Sequence, residues 1–129
     1  KLGLHHYVLV TRADPIENHI ESVGPIKPSS ESMTHAAAYA AAPWIQCVLH
    51  VHQPQIWADS ENLELPETPP HVAYGTVEMA TAIAQLARET RGPIIAMKGH
   101  IDGLIAIGGS VQEAGHALID ILIRSQINR

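Results

Sequence analysis

The chain has 129 residues, of which 46% are apolar, and a formal net charge of −5 with neutral histidines. This length fits one domain over residues 1–129 with a buried core, and the single Cys47 excludes an internal disulfide. The eight Lys and Arg are scattered, and no apolar run could span a bilayer, so we expect a protein that binds neither nucleic acid nor membrane. We expect it to be cytoplasmic. Its nine histidines point to metal or proton chemistry.

The first third of the chain predicts two short strands and a helix. A β-branched run over residues 7–12 ends at a turn, and a second strand is expected over 16–20. Ser29 and Ser30 then precede an Ala-rich segment that runs to Ala42. Serines, an acidic residue in the first turn and a trailing proline are typical of the start and end of a helix. The hydroxyls and amides at this helix start either bind an anion or only cap the helix.

The next strand, predicted over residues 45–51, leads into two histidines. Side chains alternate across a strand, so His50 and His52 leave one face and the apolar residues next to them leave the other. A buried polar side chain without a partner costs on the order of 1 to 3 kcal/mol, so a partner is expected for this pair. The two histidines either ligate a metal ion or form hydrogen bonds with loop carbonyl groups.

The middle of the chain predicts a short helix, a connection and a longer helix. Residues 53–60 fit the short helix, and residues 63–70 form an irregular, Pro-rich and acidic connection. Over residues 77–90 the apolar side chains recur at helical spacing, and Thr76 is the expected N-cap.

A β-hairpin is predicted next, with strands over residues 93–97 and 104–107. An Asp-Gly pair between two apolar runs is a strong turn signal. If the strand geometry persists into the connection, His100 and Asp102 lie on one face and supply two further candidate metal ligands. Lys98, the lysine nearest to them in sequence, would permit a Schiff-base mechanism, which we place second.

The last helix opens with a capping box formed by Ser110 and Glu113. Two apolar stripes lie along it, which is more apolar surface than one neighbour covers. The stripes are Val111, Ala114, Leu118, Ile121 and Leu122, and Ile119, Ile123 and Ile127. We therefore expect an oligomer contact on this helix, with His116 on the helix surface.

Four motifs occur in an order that resembles the class II aldolase/adducin family. They are Pro28-Ser29-Ser30-Glu31, Val48-Leu49-His50-Val51-His52, Tyr74-Gly75-Thr76 and Gly103-Leu104-Ile105-Ala106. The resemblance covers the whole chain and implies an α/β sandwich, in which helices flank a mainly antiparallel central sheet, and a ring-like homotetramer. Full-length members begin with a helix and a hairpin that form part of a phosphate pocket. This chain begins after that region, so we expect a short homologue or a C-terminal piece.

The resemblance also implies the roles of five residues. In the sugar-phosphate aldolases of that family, a glutamate after paired serines acts beside a zinc ion held by three histidines. The resemblance assigns His50 and His52 as metal ligands and Glu31 as the catalytic acid/base. It assigns Ser29 and Ser30 to the phosphate of the substrate.

The third metal ligand has two candidates. The family's third histidine stands directly before the hairpin glycine, whereas here Asp102 precedes Gly103 and His100 lies two residues earlier. Either His100 completes a three-histidine zinc site, or Asp102 ligates in its place and gives a two-His, one-carboxylate site open to other divalent metals. We favour His100 because zinc sites of the family use histidine.

The activity that the resemblance implies is that of a zinc-dependent aldehyde-lyase. It would cleave or form a C–C bond in a small sugar or sugar phosphate through a metal-stabilised enediolate, with Glu31 moving the proton. The same scaffold serves epimerases, dehydratases and decarboxylases. A non-catalytic, adducin-like oligomerisation or interaction domain is the alternative from another class.

Overall fold

The computed structural model describes residues 1–90 and 92–127 as a series of strands and helices. In chain order these are β1 (Leu9–Asp14), β2 (His19–Val23), α1 (Ser32–Ala41), β3 (Cys47–His52), α2 (Pro54–Ala58), α3 (Val77–Glu89), β4 (Ile94–Ala96), β5 (Gly103–Gly108) and α4 (Val111–Ile127). A 3-10 turn over Leu4–His6 precedes them. Within residues 1–90 and 92–127, no helix has the length and apolar character needed to cross a membrane.

Three antiparallel strands form the central sheet in the order β3-β5-β4. β5 lies in the middle, and all of its residues are buried. Its register places Ile105 opposite both His50 and Ile95, and Gly103 opposite His52. The predicted hairpin of β4 and β5 is therefore confirmed. Because of this register, the end of β3 lies beside the turn that joins β4 to β5.

Helices cover both faces of this sheet. The core under α1 and α3 consists of Ala38, Ile45, Val48, Met79, Ile83, Ala87, Ile95, Met97, Ile105 and Ile107. The core under α2 and α4 consists of Cys47, Ile56, Leu63, Ile94, Ala96, Leu104, Ala106, Ala114 and Ile121. Neighbouring residues of β3 enter opposite cores, as the alternation of a strand requires. The predicted α/β sandwich with a mainly antiparallel central sheet is confirmed.

β1 and β2 form a separate antiparallel hairpin, with an irregular register between Val10 and Arg12. One side of the hairpin packs Ala13 and Ile20 against a small apolar cluster of α1 and α3. The hairpin is thereby attached to the helices rather than to the edge of the central sheet.

The second strand begins later than the sequence predicts. Asp14 Oδ1 accepts hydrogen bonds from the amides of Ile16 and Glu17, at 3.0 and 3.1 Å. Asp side chains that bond the backbone two residues on stabilise turns. The predicted start of this strand at residue 16 is therefore wrong, because the turn occupies that position and β2 begins at His19.

The start of α1 also differs from its prediction. Its N-cap is Glu31, which makes no side-chain cap hydrogen bond, and the helix begins at Ser32. Ser29 Oγ accepts a hydrogen bond from the Glu31 amide at 3.2 Å, so it holds the turn before the helix. The prediction that Ser29 and Ser30 cap the helix is wrong. The Glu31 side chain does not cap the helix either, and it is buried.

Side chains cap α3 and α4 as predicted. Thr76 Oγ1 accepts a hydrogen bond from the Met79 amide at 3.2 Å at the start of α3. At the start of α4, Ser110 Oγ accepts from the Glu113 amide at 3.2 Å, and the Glu113 carboxylate accepts from the Gly109 amide at 2.7 Å. The bonds to the Met79 and Glu113 amides satisfy amides that each helix itself leaves without a partner, whereas Glu113 bonds the amide of the residue before Ser110 and not that of Ser110.

α4 keeps one apolar stripe at the surface. Ile119, Ile123 and Ile127 are 55%, 50% and 74% exposed, whereas Ala114 and Ile121 are buried against the sheet. Exposed apolar surface that continues along an element is typical of a contact with another protein. We expect this stripe to form the oligomer contact.

Charged substitutions on this stripe test that expectation. The wild type should scatter light as a multiple of the 13.9 kDa chain mass, and the double variant Ile119→Lys, Ile123→Lys should shift towards the monomer, because the contact would bury two unpaired charges. Ile16→Lys, at an isoleucine 87% exposed in the turn between β1 and β2, is the matched control and should keep the wild-type mass. A monomeric wild type would contradict the prediction.

Candidate metal centre

The end of β3 and the turn between β4 and β5 bring three histidines together. His50 and His52 belong to β3, and His100 belongs to the turn. One ring nitrogen of each lies within 4.8 Å of the other two. The ring centroids are 4.9 Å apart for His50 and His52, 5.0 Å for His50 and His100, and 4.6 Å for His52 and His100. Three clustered imidazoles are a common ligand set for a catalytic zinc ion.

The backbone of β5 orients His50. Its Nδ1 lies 3.0 Å from the Leu104 carbonyl oxygen, and because a carbonyl only accepts, Nδ1 carries the proton. The lone pair is then on Nε2, which lies 3.2 Å from Nε2 of His52. Two nitrogens bound to one tetrahedral zinc ion are about 3.3 Å apart, given Zn–N bonds of about 2.0 to 2.1 Å. The spacing of this pair fits a shared divalent ion.

His100 reaches the group from a turn and not from a strand. The His100 amide donates to the Met97 carbonyl at 3.0 Å, and the Gly103 amide donates to the His100 carbonyl at 2.9 Å. Asp102 has a φ of 64°, a left-handed conformation that a turn requires. The prediction that His100 and Asp102 share a strand face is therefore wrong. Of the two candidates for the third ligand, only His100 belongs to the group of clustered ligand atoms.

Glu31 is buried next to His100, with only 2% of its surface exposed. Neither carboxylate oxygen has a hydrogen-bond partner among the described residues, and Oε1 lies 3.6 Å from His100 Nδ1, which is too long for a hydrogen bond. A buried carboxylate without a partner is costly, and a nearby cation offsets that cost. Three imidazole nitrogens and one unpartnered carboxylate therefore fit a divalent metal ion.

Burial favours the neutral form of two of these imidazoles. It lowers the pKa of His50 below its usual value, an effect that the Leu104 carbonyl and Glu31 oppose and His52 reinforces. Burial likewise lowers the pKa of His100, with Glu31 opposing the effect and the other two histidines reinforcing it. Neutral imidazole is the form that binds metal, so both side chains are ready to ligate near neutral pH.

A fourth histidine, His35, lies one helical turn after Glu31 on α1 and is not part of the three-histidine group. Burial, followed by the charge of His50, lowers the pKa of His35 from 6.5 to about 4. This side chain is therefore neutral in the folded protein at pH values where it is protonated in the unfolded chain.

Acid should destabilise the metal-free protein through His35. Between pH 6.5 and 4 the unfolded chain binds more protons than the folded one. The contribution of His35 to the free energy of unfolding is therefore complete above pH 6.5 and is lost as the pH decreases towards 4. A shift of this size corresponds to at most about 3 kcal/mol. Urea unfolding at several pH values in the presence of a chelator measures the loss, and His35→Gln should reduce it.

The control for this prediction is His116→Gln, at an exposed histidine of α4, which should keep the wild-type pH dependence. Part of the dependence should also remain in His35→Gln, because the pKa values of His50 and His100 are lowered as well. An unchanged pH dependence in His35→Gln would contradict the role given to His35.

The predicted phosphate-binding residues, Ser29 and Ser30, are exposed directly before Glu31. A Cβ built on Gly75 would lie 3.8 Å from the Ser30 carbonyl oxygen, so the backbone before α3 passes close to the serines. Gly75 is followed by Thr76, the N-cap of α3. The serine pair and the start of α3 are thus neighbours, and a phosphate role for the serines stays a prediction.

Lys98 is held by partners of its own. Its Nζ donates a hydrogen bond to the Trp57 carbonyl at 2.8 Å, lies 3.4 Å from Glu67 and sits 4.6 Å from the centre of the Trp57 ring. An ammonium group in this position links α2 to the turn that carries His100. These contacts favour a structural role for Lys98 over the Schiff-base alternative.

Tyr74 also belongs to the site, although the sequence predicts no role for it. The Tyr74 ring stacks on His100, with centroids 4.4 Å apart and an angle of 24° between the rings. The only sequence signal is that Tyr74 belongs to the third of the four motifs. His71 and His116 are exposed and lie outside the three-histidine group.

Comparisons with known proteins agree with this architecture. The model of the family described as "Class II Aldolase and Adducin N-terminal domain" matches residues 5–122. Alpha-adducin from Rattus norvegicus is 27% identical over an aligned length of 106 residues, and the match covers 72% of this chain and 14% of adducin. The crystal structure of YgbL, "a putative aldolase/epimerase/decarboxylase" from Klebsiella pneumoniae, matches 84% of this chain and 59% of its own, with a TM-score of 0.64 and 21% identity. The chain thus spans only part of each of these proteins.

Proposed function

Because this chain belongs to the class II aldolase and adducin family, we propose that it is a metal-dependent lyase that cleaves or forms a C–C bond in a small sugar or sugar phosphate. The family predicted from the four motifs is thereby confirmed, and the activity is the proposal. The observation that carries it is the cluster of three histidines beside a buried glutamate without a hydrogen-bond partner.

We propose His50, His52 and His100 as the residues that hold the metal ion. Three imidazoles that leave further coordination positions open suit a catalytic zinc ion, so zinc is the proposed metal. A divalent ion bound there would supply Lewis-acid stabilisation of the negative charge that develops on the substrate oxygens. The hydrogen bond from His50 Nδ1 to the Leu104 carbonyl keeps Nε2 available as the ligand atom.

Glu31 is the proposed acid/base. Its carboxylate is buried beside His100, and neither oxygen is held by a hydrogen bond with the described residues, so an oxygen is available to take a proton from the substrate and return it to the product. Burial also keeps bulk water away from the proton that it carries.

Ser29 and Ser30 are the proposed contacts of the substrate phosphate. Both are exposed and directly precede Glu31, so a phosphate at the serines would place the rest of a small sugar beside the acid/base. Hydroxyl groups donate hydrogen bonds to phosphate oxygens, and the adjacent N-terminal end of α3 would add a favourable dipole.

The second candidate is a non-catalytic interaction domain, which the similarity to alpha-adducin favours. A panel of sugar phosphates, assayed with added zinc, cobalt or manganese, separates the two. NMR of the products distinguishes aldol cleavage from epimerisation, dehydration and decarboxylation. Aldol turnover that a chelator abolishes would support the lyase. A protein that binds one metal ion per chain and turns over none of the substrates would contradict the lyase and favour the interaction domain.

A further inference from the structure

The aromatic ring of Tyr74 lies on the imidazole of His100. The two rings are nearly parallel, at 24°, and their centroids are 4.4 Å apart. Tyr74 is 53% exposed, so one part of it faces solvent while another covers the histidine. His50 and His52 lie near His100 as well, with centroids 5.0 and 4.6 Å away. Tyr74 therefore restricts the orientations that the His100 ring can adopt.

The segment that carries Tyr74 is attached to the strand that leads to His100. The Thr68 amide donates to the Ala96 carbonyl at 3.0 Å, and the Lys98 amide donates to Thr68 Oγ1 at 3.0 Å. On the other side of Tyr74, the Asn18 side chain donates to the Gly75 carbonyl at 3.3 Å. These bonds hold the backbone at Thr68 and at Gly75, the two ends of the segment that carries Tyr74 (the Tyr74 segment). The stack therefore does not depend on the two rings alone.

Gly99 allows the two segments to come together. A Cβ built at Gly99 would overlap the backbone carbonyl of Val72, two residues before Tyr74. The neighbour is backbone and not a flexible side chain, so any other residue at 99 would push the Tyr74 segment away from the turn. The glycine directly before His100 is thus required for the stack.

We infer that Tyr74 is a positioning residue of the metal centre, whose ring holds the His100 imidazole in the orientation that completes the three-histidine group. This inference rests on the metal centre of the proposed function. The ring carries the effect and not the hydroxyl, because no hydrogen bond of the Tyr74 hydroxyl is found with residues 1–90 and 92–127. Outer residues that orient metal ligands typically change affinity by about 10- to 100-fold.

Cobalt binding tests the inference. Cobalt(II) replaces zinc in histidine sites, and its visible absorption reports the geometry of the ligands. The chelator-treated wild type is titrated beside Tyr74→Ala, Tyr74→Phe and Gly99→Ala, with Tyr7→Ala as the matched control, since Tyr7 is 59% exposed and belongs to the segment before β1. Thermal unfolding in chelator measures the stability of each metal-free variant.

Tyr74→Ala and Gly99→Ala should each bind cobalt about 10-fold more weakly than the wild type and with an altered absorption spectrum. Tyr74→Phe should restore affinity and spectrum, which a loss of general stability would not explain, and Tyr7→Ala should match the wild type. If Tyr74→Ala does not fold, Tyr74→Leu takes its place, because leucine fills much of the volume but cannot stack, and the same loss is expected.

Two results overturn the inference. Wild-type affinity and spectrum in Tyr74→Ala would show that the stack does not position His100, and would leave the proposed lyase intact. A wild type that binds no metal ion would overturn both. Metal binding with the expected effects but without turnover of any sugar phosphate would contradict the lyase alone.

Discussion

Glu31→Gln should lower kcat for aldol cleavage by about 10²- to 10⁴-fold while the protein keeps its metal ion. Glutamine has the same shape but cannot take the proton. In the same variant, the free energy of unfolding of the metal-free protein should rise by about 1 kcal/mol, because a buried charge without a hydrogen-bond partner is removed. Kinetics on a substrate of the wild type and urea unfolding in chelator measure the two effects.

The opposite signs of these effects separate a catalytic role from a structural one. Glu17→Gln, at an exposed carboxylate in the turn between β1 and β2, is the control and should change neither quantity. Wild-type kcat in Glu31→Gln would contradict the acid/base role. A lower stability of the metal-free Glu31→Gln protein would show that the carboxylate has a stabilising partner in the fold.

Loss of His50 or of His100 should weaken zinc binding by about 100-fold or more. Structural zinc sites with four ligands bind with about 10 to 16 kcal/mol, so one ligand accounts for about 3 kcal/mol. Asp102→Asn should keep the wild-type affinity, because Asp102 lies outside the three-histidine group and asparagine tolerates its φ of 64°. Competition with a chromogenic chelator measures the affinity of each variant.

His71→Ala is the control for this series, since His71 is exposed and outside the group, and it should bind zinc as the wild type does. A loss in Asp102→Asn as large as that in His50→Ala, together with wild-type binding by His100→Ala, would contradict the three-histidine site. It would identify the two-His, one-carboxylate site instead.

The sequence predicts the central sheet well because its strands are apolar and bounded by strong signals. β3 alternates between two cores, so the period of two that sets His50 and His52 on one face holds in the structure. The hairpin of β4 and β5 follows from the Asp-Gly pair. The family follows from the order of the four motifs, and the family model confirms it.

Contacts between distant segments and competing local hydrogen bonds explain what the sequence does not predict. The start of β2 depends on which amides Asp14 binds, and the start of α1 on the hydroxyl of Ser29. His100 joins the other histidines through a turn in which Asp102 is left-handed, a conformation that alternation cannot anticipate. The stack of Tyr74 on His100 depends on a backbone approach between segments that are far apart in sequence.

The metal content of the purified protein tests the central claim, that three histidines of this chain hold a divalent ion. Elemental analysis of protein prepared without added metal, and again after incubation with zinc followed by gel filtration, measures it directly. We expect about one divalent ion per chain in the wild type and almost none in His50→Ala. A wild type without metal after incubation with zinc would contradict the claim and leave the histidines with a structural role.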